Sequence, residues 1–342
     1  MKASVFYEHG GLEVLRYADV PEPAPGPGEA LIQVKAVALN HLDLWVRRGL
    51  PGLKLSMPHI GGSDVAGLVA AVGPGVDSGW VGRQVVVNPA LACGVCELCR
   101  RGEQSMCVTF RIFGEHTPGG LAEYALAPAA NLYPIPDGYP FVQAAAVPLA
   151  YQTAWRALIG QARLQAGERV LIVGAGGGVA SAAIQIARRA GAYIYAVTST
   201  PEKERRAREL GADETINYKE VDVAKEIARR TGRRGVDVVL EHVGPATWAA
   251  SLRALAKGGR LVTFGATTGR FAETDLNLLF WNQFSLIGST MANFAEFEAV
   301  MREIFSGRLA PVVDRVLPLS EGQEAQRLLE SGEQFGKIVL EP

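Results

Sequence analysis

The sequence predicts a two-domain α/β chain, with a mainly antiparallel, barrel-like first domain followed by a doubly wound parallel sheet. Three observations carry this expectation. Residues 1–150 hold short β-type runs with Gly/Pro punctuation and no alternation with long helices. From Glu168 onward short apolar strands alternate with helices. The chain then ends on an apolar strand, Lys337-Ile-Val-Leu, expected to return to the first domain. A length of 342 residues is enough for two separate cores. The expected division is 1–150 with 291–342 for the first domain and 151–290 for the second.

In the first domain, Ala30-Leu-Ile-Gln-Val-Lys-Ala-Val and Val65-Ala-Gly-Leu-Val-Ala-Ala-Val are the clearest strands, and Pro21 to Gly28 is a turn-rich connector. The character changes near Pro148, where Tyr151 to Leu158 has a helical pattern. Strands are then expected at Arg169–Val173, Tyr193–Val197, Glu214–Asn217, Val236–Glu241, Gly259–Phe264 and Phe284–Gly288. Between them lie helices at Val179–Arg189, Pro201–Leu210, Val223–Thr231 and Ala246–Leu255.

Composition narrows the function. The formal net charge of -1 gives no electrostatic case for nucleic acid or an anionic membrane. The N-terminus, Met-Lys-Ala-Ser-Val-Phe-Tyr, has no apolar signal core. The longest apolar run, Val170 to Ile184, is interrupted by glycines and has the form of strand, turn and helix rather than a membrane span. A cytoplasmic chain without nucleic-acid or membrane partners is expected.

The strongest functional motif is Val173-Gly174-Ala-Gly176-Gly177-Gly178-Val179-Ala180. It follows a buried strand and opens a helix, the context that gives a glycine-rich string meaning. Glycine lets the backbone turn tightly and approach a pyrophosphate, and the helix N-terminus offers free N–H groups and a positive dipole end. Ala180 stands where a third glycine often lies. After the second strand an acidic residue would accept from the adenosine ribose hydroxyls and favour NAD. Here the chain reads Thr198-Ser199-Thr-Pro-Glu-Lys203, whose hydroxyls and lysine suit a 2′-phosphate and therefore NADPH. Glu202 keeps NADH open.

All four cysteines fall in Cys93-Gly-Val-Cys96-Glu-Leu-Cys99 and Cys107, a C-x2-C-x2-C-x7-C pattern. Crowding into one loop argues against a disulfide framework. Four thiolates suit tetrahedral zinc with every position filled by protein, which makes the site structural. An iron–sulfur cluster is the rival, but the last gap is longer than in the common ferredoxin run. Arg100 and Arg101 stand beside the cluster to offset its negative charge.

These motifs resemble the medium-chain dehydrogenase/reductase family, which holds the zinc alcohol dehydrogenases and quinone oxidoreductases. The resemblance covers essentially the whole chain, including Leu210-Gly-Ala-Asp, Gly235-Val-Asp-Val-Val and Phe335-Gly-Lys-Ile-Val-Leu. It implies a GroES-like catalytic domain with the cysteine lobe at 93–107, and a Rossmann dinucleotide-binding domain. The catalytic zinc pattern does not match. Asn40 stands at the first ligand position, Ser63 replaces the histidine of the family's Gly-His-Glu segment, and the third position falls near Leu149. These groups do not make the nitrogen- and sulfur-rich site that catalytic zinc favours. Leu42 also replaces the hydroxyl residue of the alcohol proton relay.

Asn40-His41-x-Asp43 with Arg47-Arg48-Gly49 instead resembles the zinc-independent quinone and enone reductases. The resemblance implies hydride transfer to an activated alkene or a quinone, with Asn40 and His41 as the catalytic candidates. Asp43 is expected to hold local structure with Arg47 or His41. An unconventional metal site of His41, His59 or His116 with Asp64 stays open. For the cofactor it implies Thr153 near the nicotinamide carboxamide and Tyr218 at the adenosine phosphate. His242 and Gly265 fall near the nicotinamide ribose, and Lys337 at the phosphates. Leu42, Trp45, Phe113 and Trp281 are expected to line an apolar pocket. The alternatives are a zinc alcohol dehydrogenase with altered ligands and a non-catalytic dinucleotide-binding protein. A small carbonyl, enone or quinone substrate and a homodimer or homotetramer complete the expectation.

Overall fold

The computed structural model describes all 342 residues, which divide into two units: Met1–Gln152 with Ala292–Pro342, and Thr153–Met291. Unit 1 opens with β1 (Lys2–Phe6), β2 (Arg16–Asp19), β3 (Glu29–Ala38), β4 (His59–Ile60) and β5 (Asp64–Val72). It continues with β6 (Gln84–Val87), β7 (Ala90–Leu91), β8 (Arg111–Ile112), β9 (Tyr124–Pro128) and β10 (Leu132–Pro134). Strand β3 is the hub. It pairs antiparallel with β5 along its whole length and with β9 through Glu29–Gln33. Its apolar residues Ile32, Val34 and Val37 are buried against Val65, Val69, Val85 and Leu121. Each such side chain contributes about 1.5–3 kcal/mol of burial, so this sheet forms a rigid frame.

Unit 2 holds β11 (Arg169–Ile172), β12 (Tyr193–Thr198), β13 (Glu214–Asn217), β14 (Val236–Glu241), β15 (Leu255–Thr263) and β16 (Ser285–Gly288). All are parallel, in the order β13-β12-β11-β14-β15-β16. The order reverses direction between β12, β11 and β14, the switch point at which doubly wound sheets bind ligands. Val170, Leu171 and Ile172 are fully buried, as expected of a strand covered on both faces. The helix Gly178–Arg189 packs through Ala180, Ala183, Ile184 and Ala187. Ala180 is 1% exposed, so its methyl is accommodated where a third glycine often stands.

The chain then re-enters unit 1 with β17 (Val313–Pro318) and β18 (Lys337–Glu341), which are parallel to each other. Strand β18 runs antiparallel to the end of β3, pairing Val339 with Ala38 and Leu340 with Val37. The helix expected at Tyr151–Leu158 starts earlier, at Pro148, and runs to Trp155 before a wider π-type turn over Arg156–Gln161. Pro148 explains the early start, because its fixed φ and missing N–H suit a first helical position. No helix is long and apolar enough to cross a membrane.

Gly174 has φ +69, and a Cβ there would lie 2.7 Å from His242 Cε1. Gly174→Ala is therefore expected to cost about 1–3 kcal/mol in denaturant unfolding. Gly288→Ala meets nothing within 4 Å and should stay within about 0.5 kcal/mol of the parent.

Candidate functional site

Unit 1 builds its polar centre from the register of β3, β5 and β18. Ala38 pairs with Asp64 across β3 and β5, and Val339 with Ala38 across β18 and β3. Continuing the second register by two residues sets Lys337 opposite Asn40. There Lys337 Nζ donates to Asn40 Oδ1 at 2.5 Å and to Asp64 Oδ2 at 2.9 Å. Asn40 Nδ2 donates to Asp64 Oδ2 at 2.8 Å, and the Leu149 N–H donates to Asp64 Oδ1 at 2.8 Å. Asp64 is 0% exposed and Lys337 3%. Of the positions that the family resemblance matches to catalytic-zinc ligands, Asn40 carries an amide and Ser63 a hydroxyl, and the Lys337 ammonium lies against Asn40 and Asp64. The Ser63 hydroxyl is buried without a hydrogen-bond partner.

Asp43 does not pair with Arg47 or His41. Its carboxylate accepts from the Asn40 N–H at 2.7 Å and the Gly62 N–H at 2.9 Å, fixing the start of the helix His41–Arg48. Burial pushes its pKa up to about 6, against those two N–H donors and Lys337. Arg47 is fully buried and instead donates to Gln326, Glu330 and the Gly10 carbonyl, tying this helix to Gly322–Ser331. His41 is half-buried, edge-on to Trp45 at 5.2 Å, and its pKa is lowered by burial and then by Arg48. Burial thus favours its neutral form, in which one ring nitrogen donates an N–H.

The other histidines do not gather round Asp64. His59 faces the Gly114 carbonyl at 3.1 Å, and His116 Nδ1 accepts from the Ile112 N–H. Phe113 is 1% exposed in the core of unit 1, and so packs the frame rather than lining a pocket. Leu42 is half-buried against the Phe6, Leu15 and Val46 cluster.

The four cysteines do converge. Their sulfurs all lie within 4.8 Å of one another, with Cys93–Cys107 at 3.5 Å, Cys93–Cys99 at 3.9 Å and Cys96–Cys107 at 4.0 Å. A tetrahedron of sulfurs with Zn–S near 2.3 Å has edges of about 3.8 Å, so the donor set fits zinc. Backbone N–H groups of Cys93, Cys96 and Cys99 point at Cys107, Cys93 and Cys96 sulfurs respectively, which favours thiolates. Arg101 turns to Glu97 at 3.4 Å rather than to the sulfurs.

In unit 2 the glycine turn forms a cradle at the N-terminus of the helix Gly178–Arg189, with Gly177 as its N-cap. Val179 lies in the first turn. A Cβ on Gly176 would meet Lys203 Nζ at 3.1 Å, so this ammonium lies beside the turn. Glu202 is held by Arg205 through two hydrogen bonds of 3.0 and 2.6 Å. Thr198 is buried with its hydroxyl unpartnered, while Ser199 is half-buried. Tyr218 is 54% exposed, and its N–H donates to the Thr198 carbonyl. His242 stacks on Phe264 at 5.3 Å and covers Gly174, while Gly265 lies against the His242 backbone. The Thr153 hydroxyl meets the Met291 sulfur at 3.9 Å, and Trp281 is 74% exposed.

Two features have no counterpart in the sequence reading. Glu241 is fully buried and accepts from the Val243 and Gly244 N–H groups and the Thr247 and Ser251 hydroxyls. It fixes the turn that carries His242. The Asp64–Lys337 ion pair is the other. A lysine at the start of a buried apolar strand was its only visible signal.

A glycine-rich dinucleotide cradle in unit 2 and a four-cysteine lobe in unit 1 are the features of an NAD(P)-dependent oxidoreductase, and the comparisons agree. Residues 26–137 match the alcohol dehydrogenase GroES-like domain, and residues 178–306 the zinc-binding dehydrogenase family. Quinone oxidoreductase of Rattus norvegicus is 32% identical over 348 residues, covering 99% of this chain and 97% of that protein. A crystal structure of an NAD-dependent alcohol dehydrogenase is 45% identical with TM-score 0.95, covering all of both chains. A crotonyl-CoA carboxylase/reductase in complex with NADP is 28% identical with TM-score 0.92, covering 100% of this chain and 94% of that one. The chain belongs to the medium-chain dehydrogenase/reductase family.

Glu115 is 8% exposed, and burial pushes its pKa up to about 7, with Asp43 adding to the shift. Because the native state holds this proton more tightly than the unfolded chain, its penalty is absent below about pH 4.5 and grows as pH rises through 7. Chemical unfolding of Glu115→Gln should show the variant gaining on the parent by up to about 3 kcal/mol between pH 5 and pH 8.

Proposed function

We propose that this enzyme reduces an activated alkene or a quinone with NADPH, without a catalytic metal, and carries one structural zinc in the cysteine lobe. The polar centre of unit 1 supports this reading most directly. An amide oxygen and a carboxylate that already hold an ammonium are not free to bind a divalent cation, and Ser63 and Leu149 add no soft donor. The cysteine sulfurs, by contrast, have the spacing zinc requires.

NADPH, held by the glycine turn, supplies a hydride. When hydride reaches the β-carbon of an enone, negative charge develops on the carbonyl oxygen, and a placed N–H donor lowers that barrier. Asn40 Nδ2 has two N–H bonds and gives one to Asp64, so the second is the donor we assign to the substrate oxygen. His41 follows it in the chain and holds the N–H we assign to proton delivery. Lys203, beside Gly176, is assigned to the 2′-phosphate, and Glu202 is held back from the ribose by Arg205. Thr153, His242 and Gly265 remain the residues we assign to the nicotinamide end, and Tyr218 to the adenosine end.

The 45% identity to an NAD-dependent alcohol dehydrogenase favours a second reading, alcohol oxidation with NAD. The two separate cleanly. Under our reading elemental mass spectrometry finds about one zinc per chain, and turnover appears with enones or quinones and NADPH. About two metals per chain with alcohol-dependent reduction of NAD would replace it. In the same assay, Lys203→Met should weaken NADPH binding roughly ten- to hundredfold and leave NADH within about threefold.

A further inference from the structure

The resemblance in sequence assigns Lys337 to the cofactor phosphates, but the ammonium is directed into unit 1. Both of its hydrogen bonds are made to buried groups of that unit. An ammonium has only donors and a carboxylate only acceptors. Asn40 bonds to both members of this directly paired couple, so its amide takes one orientation, with Oδ1 toward Lys337 and Nδ2 toward Asp64. An amide flip, which costs little between equivalent neighbours, would here set N–H against ammonium and oxygen against carboxylate. Asp64 is itself anchored by the Leu149 N–H, so the frame that orients Asn40 is fixed at each end.

We propose that Lys337 is a positioning residue, the fixed cation of this polar centre, which locks the Asn40 amide so that its second N–H is presented to the substrate oxygen. This rests on the assignment of Asn40 under the proposed function. A buried ion pair gives little stability beyond what an apolar pair of the same volume would give, so stability alone does not account for Lys337 and Asp64. Fixing the direction of a neighbouring donor does account for them. The arrangement also explains how a site can dispense with a metal and keep a positive charge behind its electrophilic group. The charge is covalently attached to β18 and held in place by strand register.

Lys337→Met alone strands the Asp64 carboxylate and is expected to unfold more readily. Asp64→Asn combined with Lys337→Met removes the stranded charge and is the informative variant. Three quantities are read on it: NADPH affinity by fluorescence titration, steady-state kinetics with cyclohexenone and 1,4-benzoquinone, and the Asn40 side-chain amide in ¹⁵N-asparagine-labelled protein, identified by its loss in Asn40→Ala. The expected result is NADPH affinity within about threefold of the parent, kcat lower by at least about tenfold, and an altered or averaged Asn40 amide signal. Lys337→Arg, which keeps the cation, should recover part of kcat. Loss of NADPH affinity by about tenfold or more would return Lys337 to the phosphates and overturn the proposal, as would an unchanged kcat. If the parent enzyme reduces neither probe, the functional reading fails by itself. The amide spectrum then decides the positioning claim alone, and an unchanged Asn40 signal in the double variant overturns it.

Discussion

The antiparallel pairing of β18 against the end of β3 is the constraint on which the chemistry of unit 1 depends. Two pairs of residues, Val339 with Ala38 and Leu340 with Val37, set a register that carries Lys337 to Asn40. A shift of one residue would turn Lys337 to the opposite face of the strand and put an apolar side chain in its place. Ile338 and Leu340 are buried in the core of the same sheet, so hydrophobic packing holds the register and the register holds the charge. The β3–β5 pairing does the same for Asp64 from the other side.

The chain holds two clusters of donors that differ in softness. In the cysteine lobe four sulfurs stand at tetrahedral spacing, with backbone N–H groups supporting their negative charge. In the polar centre the donors are oxygens of an amide and a carboxylate, and the cation they hold is a side chain. The acids around it show the cost of that choice. Asp43 is buried near Asp64, and Glu115 is buried near Asp43; burial pushes both carboxyls above the ordinary carboxylate range.

Much of the fold was legible because its periodicities are strong. Val170, Leu171 and Ile172 form a fully buried strand, and the six-strand alternation around them survives almost residue for residue in the parallel sheet. The cysteine cluster was legible because all four ligands lie within one short loop. What sequence did not reveal are contacts made across long separations. Lys337 and Asn40 are distant in the chain, and only the strand register brings them together. Phe113, which the sequence suggests for an apolar, aromatic pocket, is 1% exposed in the core, a position that suits the same residue type. Asp43 was expected to find a basic partner, but two backbone N–H groups at a helix start serve an aspartate as well as a guanidinium does.

Unit 1 is assembled from two separated stretches of chain, with all of unit 2 between them. On the ribosome, β3, β5 and Asn40 emerge before unit 2, while β18 follows all of it. Domains generally fold as they are synthesised, N-terminal portion first. Until β18 emerges, Val37 and Ala38 at the end of β3 lack their partner on that edge, and the Asp64 carboxylate lacks the Lys337 counter-charge. The nucleotide-binding unit, by contrast, is contiguous and complete well before that point. Completion of this sheet and arrival of its internal cation are thus one event, and it comes after unit 2 has been made.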